Sequence, residues 1–218
     1  DEVHYVPAAR TLIALAGPRN IEHPLLAKEI IAGGILLLGD NSLGWRFFSA
    51  LAGTATVLGV FAIVWLMLGR VRPAVFAALF ALFNFTVFVQ ARIAMLDGFM
   101  AAFTLLGIAS LLWAMRADTA RGAWARWILG SALLGLAVAA KWIAAPFVAY
   151  AAISFIIMRL VDARRSGRSV FAALNARPPG GAHRHWRGMA AIPAILGLGV
   201  VSIAVYCATF APAFFYTI

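Results

Sequence analysis

Carboxylates are scarce in this chain of 218 residues: eight Asp and Glu stand against eighteen Lys and Arg, for a formal net charge of +10. Cysteine is scarcer still. The single Cys207 cannot form an intrachain disulfide, so cysteine usage does not report the redox compartment. There is no internal repeat, no Rossmann glycine fingerprint and no Asp-x-Asp nucleotide-metal motif. The chain opens on Asp1-Glu2 rather than Met and carries no signal peptide, so a preceding span is expected to be missing. It stops soon after its last apolar run, and a C-terminal half is expected to be missing too.

What fills the chain is apolar: 64% of residues are hydrophobic and only 12% charged, with a mean hydropathy of +0.93. That is far more apolar than a soluble domain needs. Runs of about 20 apolar residues cross a bilayer as helices, whereas barrel strands are shorter and alternate in polarity. The sequence predicts an all-α, polytopic bundle of six spans: Trp45–Leu68, Pro73–Val89, Leu96–Met115, Trp127–Ala140, Trp142–Val161 and Met189–Phe210. They form a region 45–210, after an external segment 1–44 and before an external tail 211–218. In the external segment, Val6–Ala16 and Leu26–Leu38 are too short to cross and suit interfacial helices. Pro24 and Gly39 mark the start and stop of the second.

Cytoplasmic loops collect Lys and Arg. Arg70 and Arg72; Arg116, Arg121 and Arg126; and Arg159, Arg164, Arg165, Arg168, Arg177, Arg184 and Arg187 follow alternate spans. The intervening turns hold only Arg92 and Lys141. Arg10, Arg19, Lys28 and Arg46 lie in or beside the first external segment, on the side where six acids offset them. The positive charge is therefore a topology signal, and short loops with no basic domain exclude nucleic-acid binding. The cytoplasmic stretch 162–188, with its Pro-Pro-Gly-Gly run, is expected to be a flexible basic loop facing anionic lipid. His183 and His185 within it have no nearby Cys or acid in sequence, and no metal site is expected.

Six of the eight acids, Asp1, Glu2, Glu22, Glu29, Asp40 and Asp97, fall on the external face. Asp97 sits at the edge of a span, where an ionisable group is costly and usually has a partner or a task. Arg92 is the candidate partner, and helix capping is the plainer alternative. Lys141 interrupts an apolar stretch; it is either a snorkelling lysine or, with Arg92 and Lys28, a cation for a phosphate. His23 in Glu22-His23-Pro24 is a ligand, a hydrogen-bond donor or a turn residue.

Asp1-Glu2-Val3-His4-Tyr5, His23-Pro24-Leu25-Leu26-Ala27-Lys28-Glu29, Gly44-Trp45-Arg46, Arg92-Ile93-Ala94-Met95-Leu96-Asp97 and Ala140-Lys141-Trp142 together resemble, in order, the protein O-mannosyltransferases of the GT-C superfamily. The family's Asp-Glu pair maps onto Asp1 and Glu2 and its His-Pro-Pro-Leu motif onto His23–Leu26, where Leu25 replaces the second Pro. The resemblance implies a GT-C-type bundle and an inverting transfer of mannose from a polyprenyl phosphate to a protein Ser or Thr hydroxyl. It also implies an active site on the external face of what is expected to be a bacterial plasma membrane. Asp1 is then the expected base and Glu2 its positioner. Arg92, Lys141 and Lys28 are expected to hold the phosphate, Asp97 to orient Arg92 or the sugar, and Glu22 and His23 to position acceptor or loop. The lipid-linked sugar is a substrate, and no cofactor is expected. A lipid-modifying transferase of the aminoarabinose type is the nearest alternative; a transporter or a membrane scaffold is the alternative of another class.

Overall fold

The computed structural model describes residues 2–17, 19–167, 169, 174, 185–186 and 188–216. All regular structure among them is helical. In chain order the α-helices are α1 Glu2–Ile13, α2 Leu26–Leu38, α3 Ser42–Leu68, α4 Val71–Leu82, α5 Phe85–Gln90, α6 Leu96–Met115, α7 Ala120–Ala140, α8 Ala145–Arg165 and α9 Ala191–Ala208. A short 3-10 turn, Trp142–Ala144, leads into α8, and another, Ala211–Phe215, follows α9.

Five helical stretches are long and apolar enough to cross a membrane: α3, α6, α7, Trp142–Arg165 and Ala191–Phe215. The second expected span differs. Pro73–Val89 is broken into α4 and α5 at Phe83–Asn84, and the 12-residue α4 is too short to cross alone. The break stabilises itself locally, because the Asn84 side chain accepts from the amides of Thr86 and Val87 at 3.0 and 3.2 Å. The fourth span is longer than expected. It begins at Ala120, capped by Thr119, and its early arginines leave the apolar layer: Arg126 lies over the Trp113 ring at 4.0 Å and donates to the Trp113 carbonyl.

Helices α6 and α7 form the centre, each with half of its most apolar stretch buried. Small residues let the backbones approach. A Cβ on Gly135 of α7 would lie 2.6 Å from the Ser202 carbonyl oxygen of α9, and the Ser202 hydroxyl donates to the Ser131 carbonyl at 2.9 Å. Helices α1 and α2 do not cross. They pack Tyr5, Val6 and Leu12 against Ala27, Ile31 and Ile35, in one core with Leu96 and Phe99 of α6. The first helix starts at Glu2, earlier than the expected Val6, and runs through Pro7, whose carbonyl accepts the Thr11 hydroxyl.

A second core closes the opposite end, where most of the arginines gather. Trp186 is buried, its ring centroid 4.8 Å from that of Phe155 and 6.3 Å from that of Trp127, and its amide donates to the Met115 carbonyl. Buried Arg159 donates to the Met189 carbonyl at 3.0 Å, and His185 meets Asp162 at 2.8 Å. The expected flexible loop is thus fastened at its C-terminal edge. The acid that the sequence did not place beside His185 comes from one helix back; His183 lies outside the described residues.

Candidate active site at the acidic end

The two ends of the bundle carry different chemistry. At the acidic end the first turns of α1, α3 and α6 meet the end of α7. Glu2 takes both Arg46 Nε and Nη2 at 2.7 Å, and its Oε1 also accepts the Ala94 amide at 2.8 Å. One carboxylate thereby ties α1 to the start of α3 and to the segment between α5 and α6. Arg46, through its hydrogen bonds above all, holds the Glu2 carboxyl below the ordinary carboxylate range.

Asp97 lies in the first turn of α6, but it neither caps that helix nor pairs with Arg92. Met95 occupies the cap position without a side-chain hydrogen bond. The Asp97 carboxylate instead receives Lys141 Nζ at 2.7 and 2.9 Å, with both side chains about three-quarters buried. The pairing is long-range because α6 and α7 run antiparallel, which puts the start of one beside the end of the other. Tyr5 and His23 approach this pair, their ring centroids 6.2 Å apart. Burial, and next the Lys141 charge, push the His23 imidazole down, so His23 is neutral at pH 7 and can accept or donate a hydrogen bond but supplies no cation. Burial pushes the Tyr5 phenol up.

Lys28 is placed elsewhere than expected. It is buried, and its ammonium donates to the carbonyls of Asn20 and His23 at 2.7 and 2.9 Å, with the Arg19 carbonyl at 3.5 Å. Its three protons close the 19–23 loop from inside, which fixes His23-Pro24 rather than facing a ligand. Glu22 is exposed beside it. Glu29, next on α2, is pushed up to about 7 by burial, and its Oε1 meets no hydrogen-bond partner among the described residues. Asp40 takes Arg10 at 2.8 and 3.0 Å and the Trp45 indole at 2.6 Å, fastening α1 to the α2–α3 turn.

Arg92 stands apart from these pairings. Its guanidinium lies over the Phe88 ring at 4.0 Å, exposed, on the segment that Glu2 anchors through Ala94. Among the described residues no carboxylate pairs with it, whereas Arg10, Arg46 and Lys141 each pair with one. Asp1 lies outside the described residues. Arg46 and Tyr5 fall inside motifs quoted from the sequence but were given no role at the site. Arg46 carried the same signal as Asp97, an ionisable residue at the edge of a span.

A family model described as dolichyl-phosphate-mannose-protein mannosyltransferase matches residues 3–217. The chain belongs to that family. Among this family's curated members, a polyprenol-phosphate-mannose–protein mannosyltransferase of Mycolicibacterium smegmatis is 32% identical over 246 residues, covering 98% of the chain and 44% of the relative. One from Mycobacterium tuberculosis is 30% identical with the same coverage. An undecaprenyl phosphate-alpha-4-amino-4-deoxy-L-arabinose arabinosyl transferase of Edwardsiella ictaluri is 29% identical over 179 residues, covering 78% of the chain and 32% of that protein. The mannosyltransferase fold is matched as well: an S. cerevisiae protein O-mannosyltransferase complex, solved bound to its sugar donor, superposes with a TM-score of 0.72 at 22% identity, over 96% of this chain and 29% of that one. The chain spans under half the length of the curated mannosyltransferases it matches.

Proposed function

We propose that this chain carries the donor-side site of an inverting membrane mannosyltransferase, which moves mannose from a polyprenyl phosphate to a Ser or Thr hydroxyl of a protein. The observation that carries the reading is the acidic end itself. Two carboxylate–cation pairs, Glu2–Arg46 and Asp97–Lys141, brace a short segment that presents Arg92 at the edge of an apolar bundle. A lipid phosphate arriving through the membrane meets a guanidinium there, and arginine suits bidentate phosphate contact.

The chemistry is a single displacement. The acceptor oxygen attacks C1 of the mannose while a carboxylate, for which Asp1 is our assignment, takes the hydroxyl proton. The bond from C1 to the phosphate oxygen breaks, its electron pair stays on the polyprenyl phosphate, and the configuration at C1 inverts. Arg92 neutralises the leaving phosphate, so a cation replaces a general acid. Glu2 holds the segment in place, and the Asp97–Lys141 pair faces the sugar side with His23. The arginines at the opposite end support an external, periplasmic site in a bacterial plasma membrane.

Membranes containing the full-length protein, incubated with radiolabelled polyprenyl-phosphate-mannose, should label the protein fraction. Label in the lipid fraction alone would favour a lipid acceptor; no transfer at all would end the enzymatic reading.

A further inference from the structure

Lys141 marks the point where α7 ends, and its neighbours decide where it aims. Its backbone is extended, with φ −158° and ψ 128°, between the last turn of α7 and the 3-10 turn Trp142–Ala144. The Lys141 amide still donates to the Ala137 carbonyl at 3.0 Å, and its carbonyl accepts the Ala144 amide at 3.0 Å. Both bonds are local, so neither ties the turn to another helix. Successive side chains of an extended chain point opposite ways. Lys141 reaches α6 and bonds Asp97, whereas Trp142 reaches α9, where its indole Nε1 donates to the Tyr206 hydroxyl at 3.0 Å.

We propose that Tyr206 is a positioning residue for the acidic-end site: its hydroxyl, by holding the Trp142 indole, aims the Lys141 ammonium at Asp97. The inference rests on the transfer reading above and adds a residue of α9 to its machinery. Tyr206 can serve as a fixed point because α9 is seated on α7 one turn earlier. There the Ser202 hydroxyl donates to the Ser131 carbonyl, and Gly135 leaves no room for a Cβ against the Ser202 backbone. Between that seat and the turn the packing is loose, with a cavity of about 230 Å³ among Val138, Val148, Ser202 and Tyr206. Among the described residues, the Trp142–Tyr206 bond is the one hydrogen bond between the turn and α9. A directed bond rather than close packing therefore orients the turn. Lys141 stands at its start with 23% of its side chain exposed, the same as Asp97, and a small misplacement of a group beside the reacting atoms costs rate.

The test uses the full-length protein in membranes. Tyr206→Phe and Trp142→Phe each remove one half of the bond and keep a ring in place. Each should lower kcat for mannose transfer about two- to tenfold, the worth of one neutral hydrogen bond, while the donor KM, which Arg92 sets, stays within about twofold. The double variant should be no slower than the slower single variant, and neither change should slow a Lys141→Met background further. Unfolding titrations in detergent give a readout that needs no transfer: the coupling between Asp97→Asn and Lys141→Met should fall by about half or more when measured in Tyr206→Phe. Either single variant serves if the other fails to fold. An active protein whose Tyr206→Phe variant keeps its kcat or its full coupling would overturn the proposal, as would losses that multiply in the double variant or persist in Lys141→Met. A wild-type protein that transfers no mannose, yet loses the Asp97–Lys141 coupling in Tyr206→Phe, would sink the transfer reading and leave the aiming of Lys141 standing.

Discussion

Lys141 donates to both carboxylate oxygens of Asp97 although 44 residues separate them, and so it joins the last turn of α7 to the first turn of α6. Each charge sits at the edge of an apolar layer, where an unpartnered ion is costly. The pair therefore belongs to the packing of the central helices as much as to any ligand.

Asp97→Asn and Lys141→Met should each destabilise the bundle, and the double variant should cost less than their sum. A coupling of about 0.5–3 kcal/mol is expected from unfolding titrations in detergent. Simple additivity would mean that the contact contributes nothing to folding.

The cations of the acidic end should separate by readout. Arg92→Ala should weaken donor binding by about 1.5–3 kcal/mol, the range for hydrogen bonds to charged groups, with folding intact. Lys28→Met orphans the carbonyls that its ammonium satisfies, so it should lower stability while the folded fraction keeps a near-normal donor KM. A purely kinetic phenotype for Lys28→Met would put its ammonium at the phosphate after all.

Stability should depend on Glu29. Its carboxyl is pushed up to about 7 from an ordinary 4.5. A group raised on folding gives its full stability below the unfolded value and loses it as pH rises through the folded one. The protein should lose stability between about pH 4.5 and pH 7 from this residue, and Glu29→Gln should flatten that limb and raise the melting temperature at pH 8. An identical slope in the variant would assign the pH dependence to other groups.

Asp1→Asn in the full-length protein removes the proposed proton acceptor at nearly constant size. Transfer should fall by about 10²- to 10⁴-fold with donor binding preserved. Near-normal transfer in Asp1→Asn, alongside a dead Asp97→Asn, would move the base to Asp97.

Sidedness is open to direct labelling. Cysteines placed at Ala120 and Gly167 should resist an impermeant thiol reagent applied outside, and one at Asn20 should react. The reverse pattern would put the acidic end in the cytoplasm.

Spans of about 20 apolar residues were plain in the sequence because their length matches a bilayer and nothing else in the chain competes for it. The broken span was not. Phe83-Asn84-Phe85 offers a single polar residue within an apolar run, and only the capping bonds of Asn84 show that the helix restarts there. Partners were harder to read than positions. Asp97 drew notice as an ion at a span edge, but Arg92 was merely its nearest cation in sequence, and only the antiparallel packing of α6 and α7 brings up Lys141. Lys28 looked like a ligand cation because the local sequence does not show that the 19–23 loop turns its carbonyls inward.

The docking of Trp186 and Arg159 bears on where the depth of the last span is decided. Helix α9 is registered against α7 and α8 by groups at its own threshold, within a few residues of Ala191. A slip of α9 along its axis by a single residue, about 1.5 Å, would disturb the bond from Arg159 to the Met189 carbonyl and the seat of Trp186 against Phe155 together. The cluster therefore acts as a depth stop, setting how far the helix that follows it reaches toward the acidic end.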